Sequence, residues 1–220
     1  GIERLVEPID AGEVVATLQA NINAIIDAGG IASINHPNFK WAYDHEVINQ
    51  VQGASLLEIF NGHPAVNLFG GNGRPSTEEI WDHVLSAGRP IYGVATDDSH
   101  NYKDFSPSHS NPGRGWVVVQ AEELSQEAII AGLSSGNFYA STGVTLSDLI
   151  ITPSGISITI EQERDFVYTT RFTSLGGSLL CEATGTIAEY NATGEENYVR
   201  ATVIASSGTK AWTQPIFPHR

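Results

Sequence analysis

The first two thirds of the chain alternate between two hydrophobic periods. Apolar residues recur at helical spacing from Val14 to Ile26, and this helix is predicted to stop at Gly29. Another helix is predicted after Ser76, which forms the capping-box pattern with Glu79. Short apolar runs that predict buried strands lie between the helices, at "IASIN", "SLLEIFN", "RPIYGVAT" and "GWVVVQ". Strands that alternate with helices predict a largely parallel sheet, either a barrel or an open sheet.

The rest of the chain alternates apolar and polar residues with a period of two. In "GISITIEQE", Ile156, Ile158 and Ile160 are separated by polar residues, which is typical of a half-buried strand. More short strands follow, punctuated by glycine-rich turns, and together they predict an antiparallel sandwich. The sequence therefore predicts an α/β domain over residues 1–146 and an accessory β-sandwich domain over residues 147–220.

The charge balance narrows the classes of partner. With 11 basic and 25 acidic side chains, the formal charge is -14. We therefore do not expect the protein to attract nucleic acid or an anionic membrane surface electrostatically. No apolar run approaches the roughly 20 residues of a membrane helix, and the sequence as given shows no signal-peptide layout. A soluble protein is predicted. The single Cys181 excludes an intrachain disulfide.

Polar residues gather where the predicted strands end. His36 follows the first strand, Glu58 and Asn61 end the second, and Asp98 and His100 follow the third. Because the carboxyl ends of parallel strands meet at one edge of a sheet, these side chains are expected to lie close together. Asp98 and His100 are two residues apart on an extended segment, so both can bind one metal ion or two adjacent ions.

The neighbouring polar residues have less specific interpretations. Asp97 should face away from Asp98 and either cap a turn or hold a hydrogen bond that orients a metal ligand. A single histidine after a strand is usually a surface residue or a satisfied core residue. The joint placement of His36, Asp98 and His100 at strand ends favours a metal site over that interpretation.

Four segments, in order, resemble the polymerase and histidinol phosphatase (PHP) family of metal-dependent phosphoesterases. They are "GGIASINHPNFKW", "LLEIFNGHP", "WDHVLSAGRPIYGVATDDSH" and "GNFYASTG". The resemblance implies part of a distorted (β/α)7 barrel that lacks its first strands. It extends to the β domain that some members carry, whose end is similar to "YVRATV" and "AWTQPIF". The expected fold class is thus α/β, a partial PHP barrel followed by a small antiparallel β-sandwich.

The resemblance also implies roles for residues of this chain. His36, Asp98 and His100 match metal ligands of the family, and we expect Asp98 and His100 to be catalytic. Mixed histidine and carboxylate ligands suit two or three zinc, manganese or iron ions. The residues expected to orient these ligands are Glu58, Asp97 and His63. The residues expected to contact substrate are Arg114, Asn38 and Asn61. Arg114 is favoured over Arg89 and Lys40 because it lies in a glycine-rich loop.

The family's histidine pair on the first strand has no counterpart here. We therefore expect a fragment of a longer protein or completion by a partner, with fewer ions or none bound by this chain. A homodimer is one way to cover the open sheet edge. The predicted activity is hydrolysis of a small phosphate ester. Hydrolysis of amides or cyclic ureas is an alternative, although no lysine sits at a strand end to bridge metals. A non-catalytic scaffold or binding module with an incomplete metal site is another.

Overall fold

The computed structural model describes Ile2 and residues 4–219, which form a mixed α/β structure. Four α-helices lie within this described part: α1 (Val14–Asp27), α2 (His45–Ile48), α3 (Thr77–Ser86) and α4 (Gln126–Ser135). The strands of its first half are β1 (Ser33–Ile34), β2 (Leu56–Asn61), β3 (Tyr92–Thr96), β4 (Trp116–Val119) and β5 (Phe138–Ser141). Those of its second half are β6 (Leu146–Thr152), β7 (Gly155–Ile160), β8 (Tyr168–Ser174), β9 (Ser178–Thr184), β10 (Ile187–Asn191), β11 (Arg200–Ala205) and β12 (Lys210–Thr213).

The predicted capping box of α3 is confirmed. The Ser76 hydroxyl accepts a hydrogen bond from the Glu79 backbone N–H at 3.2 Å, and the Glu79 carboxylate accepts one from the Ser76 backbone N–H at 2.7 Å. These bonds satisfy donors that the first turn of a helix leaves unpaired. The cap fixes the start of α3, whose apolar side then packs Ile80, Trp81 and Leu85 into the core.

The parallel part of the structure is a sheet of three strands, in the order β1, β2, β3. The expectation that "GWVVVQ" continues a largely parallel sheet is wrong, because β4 pairs antiparallel with β5. The hydrophobic period reports which side of a strand is buried and carries no information on strand direction. The closure of these three parallel strands into part of a barrel stays a prediction.

Two antiparallel sheets make up the rest of the fold. One has the strand order β10, β7, β6, and the other has the order β4, β5, β12, β11, β8, β9. Their facing sides share an apolar core that contains Ile156, Ile158, Phe172 and Val203. The larger sheet includes strands from both sides of residue 146, since β5 pairs with β12. The division of the chain into two domains at that residue stays a prediction.

Side chains also join the β-rich half to the parallel sheet. The buried Gln214 amide accepts from the Gly93 backbone N–H at 2.8 Å and donates to the Gly93 carbonyl at 2.9 Å, as a neighbouring strand would. On α3, the Asp82 carboxylate accepts from Arg200 Nε at 2.7 Å and Nη2 at 2.6 Å, and from the Tyr198 hydroxyl at 2.7 Å. Helix α3 and β11 are therefore held together by a buried ion pair.

A buried carboxylate in the loop before β11 predicts a specific loss of stability in acid. Burial alone would raise the pKa of Glu196, but hydrogen bonds from the Thr193 backbone N–H and the Tyr190 hydroxyl lower the pKa to about 2 from an ordinary 4.5. A lowered pKa stabilises the fold above the ordinary value, and this contribution disappears as the pH falls from 4.5 through about 2. We expect the urea midpoint of Glu196→Gln to depend less on pH than that of the wild type across this window. Equal slopes would contradict the prediction, and the exposed neighbour variant Glu195→Gln is the control.

Candidate functional site

Three strand ends converge on the buried carboxylate of Glu58. Its Oε2 accepts the backbone N–H of His36 at 2.5 Å, from the end of β1, and the Asn61 side-chain amide at 2.9 Å, from the end of β2. Its Oε1 accepts the Thr96 hydroxyl at 2.5 Å, from the end of β3. Because one rigid group binds all three segments, Glu58 fixes their relative positions.

Asn61 extends this network to the loop after β3. Its side-chain amide nitrogen also donates to Asp98 Oδ2 at 3.2 Å, and its Oδ1 accepts the His63 backbone N–H at 2.7 Å. Glu58, Asn61 and Asp98 thus form a continuous hydrogen-bonded chain, and Asn61 sets the distance between the two carboxylates.

Two of the predicted metal ligands have an unusual backbone. His36 has a φ of 35° and Asp98 a φ of 48°, in the left-handed region that L-residues other than glycine rarely adopt. Such conformations persist only where the surroundings hold them, and they cluster at functional sites. Here the Glu58 carboxylate holds the His36 N–H, and the Ser110 hydroxyl donates to the Asp98 carbonyl.

The His100 ring is oriented by the turn that precedes it. Its Nδ1 lies 2.7 Å from the Asp98 carbonyl oxygen and 3.8 Å from Asp98 Oδ1. A carbonyl oxygen can only accept, so Nδ1 carries the proton and Nε2 keeps its lone pair in the neutral ring. The His100 side chain is 66% exposed and that of Asp98 is 28% exposed, so both are accessible.

The histidines lie near one another but are not equivalent. The rings of His63 and His100 are 5.7 Å apart between centroids and nearly perpendicular. The Phe39 ring lies 6.3 Å from that of His63 and 5.6 Å from that of His36. His63 and His100 are thus neighbours, whereas His36 is linked to them through an aromatic side chain.

The arrangement does not by itself fit a metal ion. Over residue 2 and residues 4–219, no three side chains of His, Cys, Asp or Glu are grouped so that they could hold one. The three predicted ligands, His36, Asp98 and His100, therefore do not form a complete site within the described part of the chain.

Asp97 faces away from this network and anchors the following loop. Its carboxylate accepts the backbone N–H groups of Gly113 at 3.0 Å, Arg114 at 2.6 Å and Gly115 at 3.0 Å. Charge-assisted bonds of this kind are among the stronger hydrogen bonds of a protein. Asp97 therefore holds the loop against the end of β3, and a role in orienting a metal ligand stays a prediction.

The three residues predicted to contact substrate have partners within the protein. The Arg114 guanidinium donates to the Gly62 and Ser106 carbonyls, each at 2.8 Å. The buried Asn38 amide donates to the Asn67 and Pro75 carbonyls, each at 2.9 Å. The polar ends of Asn61 bind within the network described above. Contact between these side chains and a substrate stays a prediction, and these hydrogen bonds do not favour it.

Sequence reasoning missed Ser110 and Thr96. Ser110 lies ten residues after His100, and its hydroxyl accepts the His100 backbone N–H at 3.0 Å. Thr96 ends the predicted strand "RPIYGVAT", and its hydroxyl donates to the Glu58 carboxylate. Neither residue belongs to a recognisable spacing pattern. Their hydrogen bonds depend on how a strand end and a loop are placed in the fold, and hydrophobic periodicity does not report this.

Comparison with known proteins adds little to this geometry. No family model and no curated protein matches the chain. A crystal structure from Bacteroides vulgatus, of a two-domain protein containing a predicted PHP-like metal-dependent phosphoesterase, is similar at 13% sequence identity with a TM-score of 0.41. The match covers 90% of this chain and 62% of that one, so this chain spans less than two thirds of its length. A likeness at this level carries no argument about activity. No helix in the described residues has the length and apolar character needed to cross a membrane.

Proposed function

We propose that this chain carries part of the active site of a metal-dependent phosphoesterase that hydrolyses a small phosphate ester. The observation that carries the proposal is the left-handed backbone of both His36 and Asp98. Each such conformation costs of the order of 1–3 kcal/mol, and here two of them follow β1 and β3, the outer strands of the parallel sheet, on residues with metal-binding side chains. Lys40, Trp41, Asn72 and Arg164 also have a positive φ, so the support comes from the combination of this backbone with the Glu58 and Asn61 network that holds His36 and Asp98.

The orientation of His100 supports the same proposal. Histidines that bind metals usually donate their other ring N–H to a carbonyl or carboxylate group, which fixes the tautomer. His100 donates from Nδ1 to the Asp98 carbonyl, so its Nε2 is available as a ligand. The Glu58 carboxylate accepts the His36 backbone N–H, and the Asn61 amide donates to the Asp98 carboxylate. These two bonds fix the positions of His36 and Asp98.

The proposal includes completion of the ligand set by donors that this chain does not supply. They would come from a segment of a longer protein or from a partner, and the complete site would hold two or three zinc, manganese or iron ions. A barrel completed by further strands would also cover the free edge of β1. A homodimer is the proposed form in which a second copy of this chain covers that edge.

Metal titration tests the proposal on the chain itself. We expect Mn²⁺ or Zn²⁺ to bind weakly to the wild type and to shift the NMR signals of the His100 ring. Asp98→Asn and His100→Ala should each weaken this binding by about tenfold or more, since each removes a ligand. Asp104→Asn and His109→Ala are matched controls, because this second pair is also close, at 3.5 Å, and lies in the same loop.

The outcomes of this titration distinguish an enzyme active site from a non-catalytic scaffold. Metal binding that is equally strong in the wild type and in the Asp98→Asn variant would contradict the proposal. Absence of any binding would also contradict it and would favour the non-catalytic binding module. Hydrolysis of p-nitrophenyl phosphate with Mn²⁺, lost in His100→Ala and kept in His109→Ala, would extend the support from metal binding to catalysis.

A further inference from the structure

The ring of His63 carries its proton on the opposite nitrogen from that of His100. His63 Nδ1 accepts the Ala65 backbone N–H at 3.1 Å, in a turn around Pro64, which itself has no N–H to donate. A backbone N–H can only donate, so Nδ1 holds a lone pair and the ring proton is on Nε2. In His100 the proton is on Nδ1, and Nε2 holds the lone pair. The two neighbouring rings are therefore suited to different tasks.

The tautomer of His63 does not suit a metal ligand. A neutral imidazole binds a metal through the nitrogen that has no proton. In His63 that nitrogen is Nδ1, and it already has the Ala65 N–H as its partner. The other nitrogen is the donor Nε2–H, and within the described residues no acceptor is bound to it. His63 is thus a spare hydrogen-bond donor.

Two links place this donor beside the candidate metal ligands. The His63 ring is 5.7 Å from the His100 ring between centroids. The His63 backbone N–H donates to Asn61 Oδ1 at 2.7 Å, and the Asn61 amide donates to Asp98 at 3.2 Å. His63 is half-buried, so its backbone is held by the network while part of the residue stays accessible.

The space beside His63 favours an anion. His63 lines a hollow of about 470 Å³, whose walls are mainly apolar and include Leu68 and Phe69. Of the described residues that line it, Arg114 is the only other one with an ionisable side chain, so none of them is a carboxylate that would repel an anion. The protein as a whole has a net charge of -14, and this hollow differs from it in the sign of its charge. Apolar walls strengthen the attraction, because they lower the local dielectric constant.

Arg114 supplies a fixed positive charge to this hollow. Its stem packs across Gly62, where an added Cβ would lie only 2.8 Å from Arg114 Cβ. Its guanidinium donates to the Gly62 and Ser106 carbonyls and to Asn111 Oδ1, which are all neutral acceptors. The Asp97 carboxylate binds the backbone N–H of this residue. Within the described residues the guanidinium therefore has no carboxylate partner, and its charge can act on the hollow without contact with the ligand.

We propose that His63 contacts the substrate, by donating a hydrogen bond from Nε2 to an anionic oxygen of its phosphoryl group, and that it does not bind a metal ion. The identity of the anion as a phosphate ester rests on the proposed function. The donor role stands on the hydrogen bond from Ala65, and the preference for an anion stands on the charge of Arg114. This task differs from the one expected from the sequence, in which His63 orients a metal ligand.

NMR identifies the protonated ring nitrogen directly. In a long-range ¹H–¹⁵N correlation spectrum of the metal-free chain at about pH 8, where an ordinary imidazole is neutral, we expect the proton of His63 on Nε2 and that of His100 on Nδ1. The variants His63→Gln and His100→Ala assign the two sets of signals by removing them. A proton on Nδ1 of His63 would overturn the proposal, because Nε2 would then be an acceptor that is free to bind a metal ion.

Titration with inorganic phosphate tests the anion contact without metal and without catalysis. At constant ionic strength, we expect phosphate to shift the His63 ring signals. His63→Ala should weaken phosphate binding by about tenfold or more, the loss expected for one hydrogen bond to a charged group. His63→Gln keeps an N–H donor at the position of Nε2, so it should retain most of the binding. His109→Ala removes a histidine outside the lining of the hollow and is the control.

The outcomes separate this proposal from the proposed function. Equal phosphate binding by the wild type and His63→Ala, or no shift up to about 50 mM phosphate, would overturn the anion contact. In the metal titration, His63→Ala should keep the Mn²⁺ or Zn²⁺ affinity of the wild type, and a loss of about tenfold would identify His63 as a ligand and overturn its role as a donor. A phosphate-dependent shift at His63 that persists in Asp98→Asn supports the contact even where no metal binds to the chain.

Discussion

Replacement of Asp82 by alanine is expected to lower the free energy of unfolding by about 3–5 kcal/mol. The change leaves the Arg200 guanidinium buried without its counter-ion, and it removes the acceptor of the Tyr198 hydroxyl. The direct cost is desolvation of an unpaired charge, because Arg200 is only 2% exposed between α3 and β11. Urea denaturation of the purified variant measures this loss.

Two controls make the Asp82 experiment specific. Glu182→Ala breaks an ion pair with Arg171 whose side chains are 54% and 41% exposed, and it should cost less than about 1 kcal/mol. The double variant Asp82→Leu with Arg200→Met removes both charges, so it should recover most of the stability lost in Asp82→Ala. A loss below about 1 kcal/mol in Asp82→Ala would show that Arg200 finds another partner and would refute the prediction.

The second large effect is expected at Glu58. Alanine at this position leaves three donors without their acceptor: the His36 N–H, the Asn61 amide and the Thr96 hydroxyl. An unsatisfied buried donor costs about 1–3 kcal/mol, and since Asn61 is buried while His36 and Thr96 are half-buried, we expect a total loss of about 2 kcal/mol or more. The His36 turn should also relax out of its left-handed conformation, because the bond that holds it is gone.

NMR distinguishes this anchoring role from simple destabilisation. Glu58→Gln keeps one acceptor oxygen but turns the other into a donor, so it should fall between the wild type and Glu58→Ala in stability. Both variants should shift the ring signals of His36 and His63, which depend on the network, under conditions where the protein stays folded. Glu122→Ala, on an exposed segment, is the control. Unchanged histidine signals in folded Glu58→Ala would refute the anchoring role.

Local features of the fold could be predicted from the sequence because they depend on neighbouring residues. The α3 cap follows from the spacing of Ser76 and Glu79, and the helical period places Trp81 in the core. The strand-end rule predicts that Glu58 and Asp98 lie near each other, and in the structure Asn61 hydrogen-bonds both carboxylates, while their role in a site stays a prediction.

Features that depend on distant partners could not be predicted in this way. Asp82 and Arg200 are 118 positions apart, and nothing in the helical pattern around Asp82 marks it as half of a buried ion pair. The antiparallel direction of β4 depends on its pairing with β5, which hydrophobic alternation does not encode. Likewise, Arg114 looked like a phosphate ligand in its glycine-rich loop, but its guanidinium binds carbonyl groups whose positions are set by the folded loop.

The Gln214 amide, which pairs with Gly93 as a strand would, has a mechanical consequence. Its two bonds to the Gly93 backbone and the β5–β12 ladder together join the two halves of the molecule by buried hydrogen bonds. Hinge motion between the halves would have to break these bonds in a dry environment, where each is strong. The two halves of the molecule therefore keep a fixed separation, and a site at the ends of the parallel strands would be preorganised rather than assembled by closure.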